Sequence, residues 1–237
     1  MRTAGSVSDT DVFDADKKDC LGIAKTGTSY PDYDKVLKSR HDGASAAVRK
    51  VFDKYSKKLN IQTSDYPRDL TPHYAPLENP YHRRGVYYNS YEDTRNPRGA
   101  GSTYYHELAH MIDHAAGKFK GNISNTSDFR QALYNDGNRV FSMYSQLSAD
   151  RKLLFKSKIN SDAAHSLSDL LDVTTNGQLY GRYGHSQKYW LRPGNLEAEA
   201  FAHFFEASMG CNTKRDMLKN FFPTAFAIFE QKIQSIS

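Results

Sequence analysis

Along most of the chain, apolar residues recur at the three- and four-residue spacing of amphipathic helices. Val48, Val51, Phe52, Tyr55 and Leu59 fall on one such stripe, and Asp42 stands ahead of it as a candidate N-cap. Thr63 to Pro80 is rich in Pro, Asp and Tyr and reads as loop. Gly85-Val86-Tyr87-Tyr88-Asn89 is β-prone and predicts a short strand. Glu92 to Gly101, with Pro97, Gly99 and Gly101, predicts a loop. A helix is expected from Ser102 or Thr103 as N-cap to about Ala116, with Gly117 as its C′ residue. Helical patterns continue over about 128–147, 149–159 and 163–173. A loop from Thr174 to Pro193 precedes a helix over about 196–209. The last helical stretch, Lys214 to Ile233, should break or kink at Pro223. The opening is polar, so residues 1–40 read as an arm or linker and 41–237 as one domain. The fold class is α+β, mostly helical, with a few short strands before the first central helix.

Composition narrows this picture. A chain of 237 residues buries roughly 70 % of its unfolded surface. Mean hydropathy is −0.72, and no apolar run approaches the roughly 18 residues of a membrane-spanning helix. The net charge of +5 comes from Lys and Arg interspersed with Asp and Glu, which marks a solvated surface and no specific nucleic-acid motif. Cys20 and Cys211 are far apart and form no CxxC, so two free thiols in a reducing compartment are expected. The first residues lack the apolar segment of a Sec signal; export by another route stays open.

The chemistry lies in Tyr104-Tyr105-His106-Glu107-Leu108-Ala109-His110-Met111-Ile112-Asp113-His114. His106 and His110 are one helical turn apart on one face, where two imidazoles can share a Zn²⁺. Glu107, beside the first histidine, is placed to act as general base on a water. Leu108, Met111 and Ile112 lie on other faces and should anchor the helix. His114 falls beyond the metal and is expected in a supporting or surface role. Asp113 is a candidate to orient a ligand histidine through its other ring nitrogen. A third ligand must come from elsewhere. The segment Glu197-Ala198-Glu199-Ala200-Phe201-Ala202-His203-Phe204-Phe205-Glu206 is a strong helix former whose small residues permit close packing. Glu199 and His203 share a face, whereas Glu197 points roughly 200° away from Glu199, so the two glutamates cannot both be ligands.

HELAHMIDHAAG at His106–Gly117, followed by EAEAFAHFF at Glu197–Phe205, resembles gluzincin metallopeptidases of the anthrax lethal factor and Pro-Pro endopeptidase kind. A closer likeness is to the C-terminal region of minor head proteins of phages and prophages of Gram-positive bacteria. It is carried by Asn96-Pro97-Arg98-Gly99-Ala100, Gly184-His185-Ser186 with Tyr189-Trp190, and Glu197–Glu206, and extends from about Val86 to the C-terminus. The resemblance implies a zincin-like domain with a small sheet over the HExxH helix, and Glu199 as third zinc ligand beside His106 and His110. It implies hydrolysis of a polypeptide by a water that Glu107 activates at the zinc. It also implies that the strand before the motif, Gly85–Asn89, lies at the sheet edge and binds substrate backbone. Arg192 stands where those enzymes carry the oxyanion-stabilising Tyr; Tyr189 or His185, with Tyr183 on the same loop, are the candidates for that role. The alternative is a structural minor head protein with a retained zinc site, docked on capsid or portal proteins. With no signal peptide or membrane-spanning segment read in the sequence, host cytoplasm or virion is the expected location, with non-classical export open.

Overall fold

The computed structural model describes residues 32–57, 61–63, 72–77 and 83–237. Asp32 caps α1 (Tyr33–Gly43), its carboxylate accepting the Asp34 N–H. Ser45 caps α2 (Ala46–Ser56) by accepting from the Val48 N–H. Asp42 therefore does not cap the Val48–Tyr55 stripe; it sits inside α1 and pairs with Lys38 at 2.5 Å. Leu59 lies outside the described residues.

The boundary drawn at residue 40 runs through α1. Val36 is buried, and the Arg40 guanidinium donates to the carbonyls of Ala100, Glu206 and Met209 at 2.8–3.0 Å. The described part of the expected arm thus belongs to the core, while residues 1–31 lie outside the described ones.

The sheet has three strands, β1 (Ile61–Thr63), β2 (His73–Ala75) and β3 (Gly85–Tyr88), in the order β1-β3-β2. β3 pairs parallel with β1 and antiparallel with β2, placing Tyr74 opposite Val86. This corrects two expectations. The Pro-rich segment contains a strand, β2, and the strand before the motif is central rather than at an edge. Every residue of β3 is buried, as flanking strands on both sides and α4 beneath require.

After α3 (Ser90–Thr94) the chain enters α4 (Ser102–Ala116), which carries HExxH. Then follow α5 (Ser127–Ser145), α6 (Ala149–Ile159), a 3-10 turn and α7 (His165–Thr174). A single turn, α8 (Gln187–Trp190), interrupts the expected loop before α9 (Asn195–Ser208). The last helical stretch is broken at Pro223, as expected, into α10 (Asn212–Phe221) and α11 (Pro223–Ile236). Pro223 opens α11 as its first residue, where its missing N–H costs nothing. The Asp136 carboxylate accepts the N–H groups of Thr224 and Ala225, both at 2.9 Å, and fixes that start.

The mostly helical α+β expectation holds. α4 and α9 form the centre and pack on each other more extensively than any other pair of helices. Ala109, Ala200 and Ala202, all fully buried, let their backbones approach. Phe201, Phe204, Phe226 and Phe229 pack behind them edge-to-face or tilted, with ring centroids 4.9–5.7 Å apart. Each such ring contributes about 1.5–3 kcal/mol by burial. Leu108, Met111 and Ile112 are buried, as expected. No helix among the described residues is long and apolar enough to cross a membrane.

Cys211 is buried and disulfide-bonded, which corrects the expected free thiol. Its partner lies outside the described residues. Separation along the chain says nothing about separation in space, and spacing alone hid this bond.

Candidate metal centre

α4 is placed from its N-terminus by a distant carboxylate. Its N-cap is Gly101, at φ 82°, and no side chain of the helix itself caps it. Instead the Asp93 oxygens accept from the N–H groups of Thr103 at 2.8 Å and Tyr104 at 3.1 Å, and from the Tyr33 hydroxyl at 2.6 Å. The expected Ser102 or Thr103 cap is thereby corrected, and a negative charge meets the positive end of the helix dipole. At the other end Gly117 follows Ala116 as expected and caps the helix with φ −78°. Glycine is needed there because a Cβ would stand 1.9 Å from the Gly121 carbonyl oxygen.

The His106 and His110 rings lie 4.9 Å apart and nearly perpendicular. Glu199 reaches between them from α9. Its Oε2 is 3.1 Å from His106 Nε2, and its Oε1 is 3.5 Å from His110 Nε2. These residues, with Glu107, His185 and Tyr189, line one cavity of about 450 Å³. All six candidate site residues thus meet in one place. The Tyr189 hydroxyl donates to Glu199 Oε1. The His185 ring stacks on Tyr189, with centroids 4.2 Å apart, and its Nε2 is 3.9 Å from Glu199 Oε1.

Glu197 turns the other way, buried against Arg130 at 2.5 Å, as the helical geometry requires. Asp113 does not orient a histidine. Its carboxylate accepts the Ser124 N–H at 2.8 Å and hydroxyl at 2.5 Å, pinning the turn after α4. Burial raises its pKa to about 6 despite those bonds. His114 supports the cavity wall, its Nδ1 2.8 Å from the Tyr74 hydroxyl of β2. Tyr183 faces away; it lines a smaller neighbouring cavity and donates to Asp162.

Around the three donors lies a layer that the sequence did not single out. Glu206 is buried, with Lys214 at 3.4 Å and Arg98 at 3.8 Å. Its Oε2 faces His106 Nδ1 at 3.7 Å; that is too long for a hydrogen bond, and both atoms are buried without one. Asp169, from α7, accepts from His185 and from His203. The signal was an acid inside an otherwise apolar run, Leu167-Ser168-Asp169-Leu170-Leu171 and Ala202-His203-Phe204-Phe205-Glu206. A buried carboxylate has to be paired.

The field is correspondingly strong. Burial alone would depress His106, but the carboxylates of Glu199 and Glu206 raise its pKa to about 10. Burial opposes ionisation of Glu199, yet His110 and His106 hold it well below the usual carboxylate range. Burial, reinforced by Glu199, pushes the Tyr189 phenol up.

Buried His, Glu and Asp groups here are arranged so that they could hold a metal ion. Donor atoms of His106, Glu199 and His203 lie within 4.8 Å of one another, as do those of Asp169, His185 and Glu199. His110 offers a second nitrogen on the cavity side, and so does His185, whose Nδ1 is engaged by Asp169. His203 is 1 % exposed, does not line the cavity, and its Nε2 is engaged by Asp169 at 3.0 Å. A tetrahedral Zn²⁺ with bonds of about 2.0–2.1 Å sets its donors roughly 3.3 Å apart. The His106 contact, 3.1 Å to Glu199 Oε2, is close to that value, and the His110 contact, 3.5 Å, is made to the other carboxylate oxygen. The buried residues present could therefore hold a metal ion. In comparisons with family models, curated proteins and solved structures, nothing matches the chain.

Proposed function

We propose that the chain is a zinc-dependent metallopeptidase. The observation that supports it most is the meeting of His106, His110 and Glu199 at the wall of a cavity that Glu107 also lines. His106, His110 and Glu199 would hold the metal. When bound, zinc supplies Lewis acidity, which polarises a carbonyl and favours ionisation of water.

The chain's own groups do the rest. Glu107 takes the proton of the attacking water and returns it to the leaving amine. Tyr189 donates to the oxyanion that develops on the scissile carbonyl, a contribution worth roughly 10²–10³-fold, and His185, stacked on its ring, holds it in place. β2 carries the substrate. It is the strand that lines the cavity and, among the described residues, it ends the sheet, where an extended peptide would add to it. That function passes from Gly85–Asn89, where the edge was expected, to His73–Ala75.

The ligand set is tested by metal content. His110→Ala and Glu199→Ala should each lose zinc, and His203→Ala and Glu197→Ala should keep it. Zinc retained by His110→Ala and lost from His203→Ala would move the metal behind the cavity and overturn the assignment.

A further inference from the structure

The carboxylate of Asp169 is fully buried between α7, the loop before α8, and α9. No catalytic group named above lies on α7, yet this side chain touches two histidines of the site. It accepts the His185 backbone N–H at 2.8 Å and its ring Nδ1 at 3.0 Å. It also receives His203 Nε2 at 3.0 Å. The His203 ring in turn lies 4.7 Å from the His106 ring. One buried oxygen pair therefore accepts three donors, from a cavity-wall loop and from the helix that supplies Glu199.

The geometry fixes which nitrogens carry protons. An ionised carboxylate only accepts, so His185 must present Nδ1–H to Asp169, which leaves its Nε2 facing the cavity. His203 must present Nε2–H, which leaves its Nδ1 as the buried, unpartnered atom observed. His185 is further restrained by its stack on Tyr189 and by the Trp190 edge at 5.1 Å.

We propose that Asp169 is a positioning residue of the proposed peptidase: it sets ring orientation and tautomer of His185 on the oxyanion side and of His203 behind His106. A single carboxylate thereby ties the loop that leads into α8 and Tyr189 to the helix that carries Glu199. The proposal rests on the peptidase reading for its catalytic consequence, though not for the tautomers.

Two measurements test it. Ring ¹⁵N–¹H correlation spectra of the wild-type protein should show the proton of His185 on Nδ1 and that of His203 on Nε2. In Asp169→Asn, whose carboxamide cannot accept all three donors, both assignments should be lost while zinc content stays unchanged. With a peptide that the wild type cleaves, Asp169→Asn should lower kcat by roughly 10–100-fold and leave KM unchanged. Adding His185→Ala should then cost nothing further, because one interaction has already been removed. Wild-type spectra with the opposite tautomers overturn the proposal without any variant. So does a kcat loss that adds to that of His185→Ala. If the wild type cleaves no peptide, the peptidase reading fails, and the ring spectra still decide what Asp169 holds.

Discussion

At the scale of single residues, the site is a set of buried charges that satisfy one another. Glu199 can be ionised in the core because two histidines face it, and His106 is held on its far side by Glu206. Removing one member of such a set leaves an uncompensated charge, which costs more than the pair contributes. Glu206→Gln should keep the fold and weaken zinc affinity by roughly 10–100-fold, measured by competition with a chelator. Unchanged affinity would show that Glu206 serves only Lys214 and Arg98. His106, Glu107, His110 and Glu199 were legible because helical spacing fixes which side chains share a face. Glu206 and Asp169 were not, because their partners come from other elements, Lys214 of α10 and Arg98 before α4 for the one, His185 before α8 and His203 of α9 for the other, and spacing carries no such contact. Asp113 shows the converse: its position beside the motif suggested a histidine partner, and the fold gave it Ser124.

At the scale of elements, two helices and one edge strand make the cleft. α4 and α9 were readable in type and nearly in extent, because long apolar periodicity is a strong signal. β2 was not, since three residues beside prolines carry no alternation to read. Its placement has a direct consequence. Among peptides of one sequence, N-methylation of backbone amides beside the scissile bond should raise KM with little change in kcat, as lost strand pairing requires. Equal KM values for methylated and unmethylated peptides would remove β2 as the docking edge. α1 also acts on the site, since Arg40 joins the end of α9 to the loop before α4. Arg40→Met leaves three buried carbonyls short of a donor and should lower stability by about 1–3 kcal/mol, seen as a reduced denaturant midpoint. A midpoint equal to wild type would assign α1 no such role.

At the scale of the whole molecule, burial sets a pH limit. His165 is the first residue of α7 and lines the smaller neighbouring cavity. Burial, aided by Arg98 and His203, depresses its pKa from 6.5 to about 3. A depressed histidine contributes stability that is complete above pH 6.5 and is lost as pH falls toward about 3. His165→Gln should therefore flatten the acid limb of the stability curve between those values and leave the neutral region with a similar slope. An unchanged acid limb would place the loss in other groups. Metal acts on the same equilibrium. An ion that binds the folded chain alone adds about 2.7 kcal/mol at one hundred times its dissociation constant, so chelation should lower Tm and zinc should restore it.

The central claim is tested most directly by Glu107→Ala beside wild type, with zinc measured by elemental analysis and both proteins then incubated with a diverse peptide library. Glu107 contacts no ligand in the geometry described, so the account predicts about one zinc per chain in both and cleavage by wild type alone. Cleavage by Glu107→Ala at the wild-type rate, or wild type without zinc, would contradict it. Zinc in both with cleavage by neither would also count against the peptidase and favour the structural role in a virion that the resemblance to minor head proteins implies.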